Sequence, residues 1–148
     1  MVWYDRDMKK LLVLLLLSPL AFAEPININC EYYQTINMKT ADVSAISERE
    51  GFTIKPDTKK IIASDGTFTY DEEGNQITWT TYSPVDVGDV YGMAWVFRID
   101  RVSGELEQDF RELKKTEGFD MQDLLKDAED YEHLLTHYAK CNKVEALF

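Results

Sequence analysis

His133, His137 and Cys141 follow one another at four-residue steps, with Glu129 one step earlier. On a helix this spacing lines one face, and two histidines with a third ligand are the makings of a zinc site. At 100° per residue, however, both histidines fall opposite the apolar stripe of the same segment, on an exposed face. No H-E-x-x-H accompanies them, and Cys141 is better used by Cys30. No metal is therefore expected, and His133, His137 and Glu129 are the alternative metal set. Two acidic stretches, Asp71 to Asn75 and Asp86 to Asp89, suggest calcium, but neither has EF-hand spacing, and hairpin tips are commonly polar. No cofactor is expected.

Signatures of catalysis are missing. There is no glycine-rich phosphate loop and no G-x-S-x-G elbow. Two histidines on an outward helix face cannot easily complete a Ser-His-Asp arrangement. A pair of carboxylates of the glycosidase kind needs a cleft, which nothing in the sequence marks. Trp79, Tyr82, Tyr91 and Trp95 suit a sugar or peptide groove, although aromatics in strands more often fill a core.

Those side chains have to be positioned by strands. Tyr91, Met93, Trp95, Phe97 and Ile99 alternate with Gly92, Ala94, Val96, Arg98 and Asp100, which is the period of a β-strand. The segment Tyr91 to Phe110 reads as a long hairpin. A four-residue loop, Arg101 to Gly104, pairs Ile99 with Leu106, Arg98 with Glu107 and Trp95 with Phe110; a three-residue loop would mix the faces. Gly104 supplies positive φ, and Asp100 is placed to accept hydrogen bonds from turn amides.

Upstream, Asn29 to Ile36 reads as a first strand. Thr40 to Glu50 is either a short helix, favoured by Val43 and Ile46 three apart, or a polar loop. Asp65-Gly66 is a hairpin signal that places Ala63 opposite Phe68 and Ile61 opposite Tyr70. A further reversal at Glu72 to Asn75 pairs Tyr70 with Ile77 and Phe68 with Trp79, leaving a ladder of Thr67, Thr69, Thr78 and Thr80 on the other face. Ser83 to Asp89 reads as a loop. Phe119 to Ala139 reads as a helix capped by Asp120, with Met121, Leu124, Ala128, Tyr131, Leu135 and Tyr138 forming its apolar stripe. Cys141 to Phe148 follows as a short strand or tail. The expected fold is α+β: an antiparallel β-meander, as a curved sheet or open barrel, with one C-terminal α-helix packed on it.

Residues 1–23 have the form of an export signal. Lys9 and Lys10 precede the apolar run Leu11 to Leu17, a break at Pro19, and the cleavage pattern Ala21-Phe22-Ala23. Asp5 and Asp7 are out of place in a basic region, so Met8 is the expected true start. The run is too short for a span of about 20 apolar residues, and Glu24 stands where a lipid anchor needs Cys. Residues 24–148 are expected as a single exported domain, periplasmic or secreted, without stable membrane insertion after cleavage. The whole chain carries a formal charge of −11, and removing Asp5, Arg6, Asp7, Lys9 and Lys10 takes it to −12. Such a balance disfavours nucleic acid and favours a basic protein or peptide. Cys30 and Cys141 are the chain's two cysteines and in an oxidising compartment are expected to form a disulfide.

The signal ending S-P-L-A-F-A, the early Tyr/Cys strand, the run F-T-I-K-P-D-T-K-K-I and the late F-R-I-D-R-V-S-G-E-L resemble small exported proteins of Gram-negative bacteria and their phages. That resemblance implies location and a β-rich fold and supplies no site. In format the chain is also similar to periplasmic lysozyme inhibitors, small disulfide-bonded β-barrels that act on a basic enzyme. Their inhibitory Ser-Gly and Tyr/Lys loops have no counterpart here, since Ser64-Asp65-Gly66 is a hairpin turn. The expected function is a non-enzymatic binding domain that meets a basic protein or peptide through Glu72, Glu73, Asp86 and Asp89. The alternatives are a carboxylate-based hydrolase of envelope carbohydrate and a protein like the lysozyme inhibitors.

Overall fold

Period-two patterning governs the chain more widely than the sequence suggests. The computed structural model describes residues 24–114 and 131–143. They form nine strands: β1 (Ile26–Asn37), β2 (Val43–Lys55), β3 (Lys60–Ala63), β4 (Gly66–Thr69), β5 (Asp71–Glu73), β6 (Gln76–Val87), β7 (Val90–Asp100), β8 (Glu105–Lys114) and β9 (Glu132–Lys143). All pairings are antiparallel, in the order β4-β3-β2-β1-β9-β8-β7-β6-β5. The last strand joins the first, and β4 touches β6 across the remaining gap, so the sheet curls into a nearly closed barrel. Its seam lies between β4 and β5, which are consecutive in the chain but not hydrogen-bonded to each other.

The α+β expectation is thereby corrected: the fold is all-sheet, with no helix among the described residues. From Glu132 onward the segment expected as the C-terminal helix is β9, paired on one side with β1 and on the other with β8. The apolar steps that suggested a helix are ambiguous over so short a run, and two waiting strand edges override weak local propensity. The first part of that expected helix, the export signal in residues 1–23, and residues 144–148 lie outside the described residues.

Hairpin β7/β8 has the four-residue register, with Ile99 opposite Leu106, Arg98 opposite Glu107 and Trp95 opposite Phe110. Asp100 accepts hydrogen bonds from the Val102 and Ser103 amides at 2.8 and 2.9 Å. The two smaller hairpins differ from expectation by a slip of two residues. Ile61 faces Phe68 and Ala63 faces Gly66, while Glu72 faces Ile77 around a Gly74-Asn75 turn. A slip of two preserves which side each residue faces, but it removes the threonine ladder, because Thr78 lies opposite Asp71. Thr40 to Glu50 is neither helix nor loop; most of it belongs to β2, drawn out by pairing with β1. Ser83 to Val87, expected as loop, continues β6, and a bulge between Pro84 and Val87 accommodates the proline's missing donor.

Inside the barrel, Trp79 and Phe97 stack with ring centres 4.7 Å apart, and Phe52 meets Trp79 edge-on at 5.3 Å. Around them pack Ile28, Cys30, Ile54, Ile61, Ile77, Ile99, Leu106 and Ala139. Strand β7 buries both faces. Phe97 belongs to the interior, whereas Ala94 and Val96 form an outer cluster with Tyr131, flanked by Leu113.

Candidate functional site

Five isoleucines from four strands meet at one end of the barrel. Ile26 and Ile28 begin β1, Ile54 ends β2, Ile77 begins β6 and Ile99 ends β7; strand alternation turns them toward one cavity of about 310 Å³. That size is at the lower end of the range for small-molecule sites. Glu72, Asp100, Arg101 and Lys143 supply its charged lining, and Gly104 and Cys141 complete one wall.

Tyr70 lines the same cavity from the seam, held by its amide donating to the Lys59 carbonyl at 3.1 Å. It is only 1 % exposed, and its hydroxyl is buried beside the Glu72 carboxylate. Burial raises the Tyr70 pKa, the negative charge of Glu72 and a hydrogen bond to it add to this, and Arg101 opposes it. The hydroxyl thus keeps its proton, and the charges acting on it belong to the cavity's polar end. Arg101 is braced by a 2.6 Å hydrogen bond to the Gly74 carbonyl and lies 3.7 Å from Glu72. Asp100 is already engaged by turn amides, which hold its pKa below the ordinary value.

Two further polar groups are built into the wall. Toward the other end, Tyr32 donates to Glu50 at 2.9 Å, and His137 Nδ1 lies 2.6 Å from the Thr35 hydroxyl while its ring stacks on Trp95. Burial raises the Glu50 pKa and lowers that of His137. On the outer face, Asp109 is 1 % exposed and accepts from Arg98 at 2.8 Å, Arg111 at 3.3 Å and Thr136 at 2.9 Å, with His133 Nε2 at 3.1 Å. Burial alone would raise the Asp109 pKa; hydrogen bonds from Arg98 and Thr136, with the charges of Arg98 and His133, bring it below the ordinary value. Both groups have the character of structural networks.

Sequence-predicted residues are distributed unevenly over this frame. Cys30 and Cys141 are direct partners across β1 and β9 and form the disulfide. Glu72 is at the cavity and Glu73 beside it on β5, while Asp86 and Asp89 are near the far end of β6. A strand of that length, at ~3.3 Å per residue, separates the two pairs by roughly 30 Å, so the four acids make no common patch. His133 and His137 take opposite faces, because β9 bulges at Leu134, the extra residue between the Phe110–Leu135 and Arg111–His133 pairs. They cannot share a metal there. Glu129 lies outside the described residues, among which no group of three His, Cys, Asp or Glu side chains gathers. Trp79 is core, Trp95 stacks on His137, and Tyr82 is 42 % exposed near Tyr131, so these aromatics make no groove.

Neither Tyr70 nor the isoleucine ring was read as a site. Each isoleucine had a sufficient explanation as core, and the position of Tyr70 depends on a seam that no local pattern announces. Set against protein-family models, curated proteins and solved structures, the chain matches none.

Proposed function

We propose that this chain is an exported, non-enzymatic binding domain that takes a small apolar molecule into the mouth of its barrel. The cavity beneath the isoleucine ring carries the reading: an opening walled by aliphatic side chains with few polar groups is the usual form of a small-molecule site. Export is supported by the signal-like pattern of residues 1–23 together with the Cys30–Cys141 disulfide, which is consistent with an oxidising compartment such as the periplasm. The cavity, rather than a single acidic surface, is the preferred contact, because Glu72 and Glu73 stand far from Asp86 and Asp89.

Titration with the neutral fluorophore N-phenylnaphthylamine tests this. The folded domain is expected to bind it with micromolar affinity, and Ile26→Trp, which fills the cavity from a partly buried position, is expected to abolish the signal while the circular dichroism spectrum is kept. No binding by the native protein, or equal binding by the filled variant, would remove the cavity as the seat.

A further inference from the structure

Away from the isoleucine end the barrel wall has an opening beside β2. Strand β3 pairs with β2 only at Thr53, Ile54 and Lys55. From residue 43 to residue 52 the β2 backbone is therefore paired with β1 on one side and, among the described residues, with no strand on the other. The β3/β4 hairpin turns back just past that point, so the gap is about two strand spacings, roughly 10 Å, wider there than at the seam. Glu48 lies opposite Tyr32 and Glu50 opposite Cys30, both core residues, so both acids face inward. Glu48 is nevertheless exposed, and Glu50 and Ile46 are only partly buried, as the opening requires.

An unpaired edge of this length is a template for a further strand, and its charges decide which strand fits. Tyr32 donates to Glu50, but among the described residues no cation pairs with Glu48, Glu50 or Asp65 at the hairpin tip. Burial and the charges of Asp65 and Glu48 push the Glu50 carboxyl above its ordinary pKa, against the Tyr32 hydrogen bond. A second copy of β2 would bring more acids into the same opening, which like-charge repulsion opposes. Cations on the inner side of an added strand would instead relieve the excess. On the outer face Arg49 is already paired with Glu31 at 2.9 Å, so the strand's outward positions suit uncharged side chains.

We infer that the free edge of β2 is a docking site for an extended basic peptide, taken up as an added strand, whose lysine or arginine side chains at alternate positions turn inward to Glu48 and Glu50. Backbone pairing supplies the attachment and the alternation of charge supplies the selectivity. This surface is separate from the isoleucine cavity, and neither role depends on the other.

Fluorescence anisotropy with a fluorescein-labelled octapeptide of alternating lysine and threonine tests this, beside a block isomer of four lysines followed by four threonines. The native protein is expected to bind the alternating peptide at least about threefold more tightly than its isomer, because a strand turns only alternate residues inward. Its affinity should fall as salt is raised. Glu48→Gln and Glu50→Gln are each expected to weaken it about twofold to fivefold. Asp57→Asn, the same change of charge at the exposed turn after β2, should leave it unchanged. Urea unfolding checks that each variant keeps its fold, and Glu48, being exposed, remains a test if Glu50→Gln does not. Equal binding of the two isomers, or an equal loss from Asp57→Asn, would reduce the effect to net charge and overturn the inference. Absence of binding by the native protein overturns it as well, as does a dimer in sedimentation equilibrium that the alternating peptide fails to dissociate.

Discussion

His133 and His137 stand four residues apart on one strand and look to opposite sides of the barrel wall, one to Asp109 outside and the other to Thr35 and Trp95 within. A single bulge separates them, and each has a different electrostatic task.

The inner histidine should make stability depend on mild acid. Burial lowers the His137 pKa below its ordinary value of 6.5, so the unfolded chain takes up the proton first. Its contribution is present above pH 6.5 and is lost as pH falls through the folded value. His137→Gln is expected to flatten the decline in unfolding free energy between pH 7 and pH 5, measured by urea titration at each pH. An unchanged slope would place the decline elsewhere.

Asp109 should dominate the outer wall at neutral pH. Removing its carboxylate in Asp109→Ala takes away the buried anion between Arg98 and Arg111, while Arg98 keeps its 3.4 Å pair with Glu107. Side chains in that position typically cost about 3–5 kcal/mol, reduced here to about 2–4 because Arg98 is partly solvated. The lowered pKa means this stability is present above the unfolded value of about 3.8 and disappears as pH falls through the folded one. Urea unfolding at pH 7 and near pH 3 should therefore show a large difference between native and variant at the first pH and a small one at the second.

At Gly104 two constraints coincide. Its φ is +74°, and a Cβ there would stand 2.7 Å from the Cys141 carbonyl oxygen. That backbone also receives and makes contacts on both sides, with the Gly104 carbonyl accepting from the Cys141 amide at 2.8 Å. Gly104→Ala is expected to destabilise by more than about 1 kcal/mol, whereas Gly74→Ala, with φ +58° but open space around it, should cost less. Thermal unfolding of the pair compares them directly, and equal losses would argue against the steric part.

The disulfide spans 111 residues and joins β1 to β9, the hydrogen-bonded pair at the middle of the sheet. Replacing both cysteines by alanine should cost roughly 2–5 kcal/mol, up to about 4.7 in the chain-entropy treatment of a loop of about 100 residues. Denaturant midpoints of native and double variant measure it. A loss below about 1 kcal/mol would mean that the ladder between β1 and β9 alone holds the ends together.

How much of this was legible follows from the distance over which each feature is decided. The β7/β8 hairpin was readable because its turn, its alternation and the Arg98–Glu107 pair all lie within a short stretch and agree. The smaller hairpins were readable only as to face: a slip of two residues leaves the pleat unchanged, so Ile61 and Ile77 still point inward whichever register is chosen. Pro84 argued for a loop, and only the long partner β7 shows how a bulge carries the strand past it. The cavity was hidden for a related reason, since nothing local distinguishes an isoleucine that fills a core from one that lines a mouth.

By itself the sequence determined the period-two segments, the side each turns inward and the pairing of the two cysteines, all matters of local sterics or of there being one possible partner. Tertiary structure alone decided that β9 is a strand, that His133 and His137 part company, and that Tyr70 sits at a seam beside Glu72. The physical reason is that β9 finds its partners in β1, about a hundred residues away, as the Thr35–His137 contact at a separation of 102 shows. Pairing at that range is governed by which edges stay open after the local hairpins have formed.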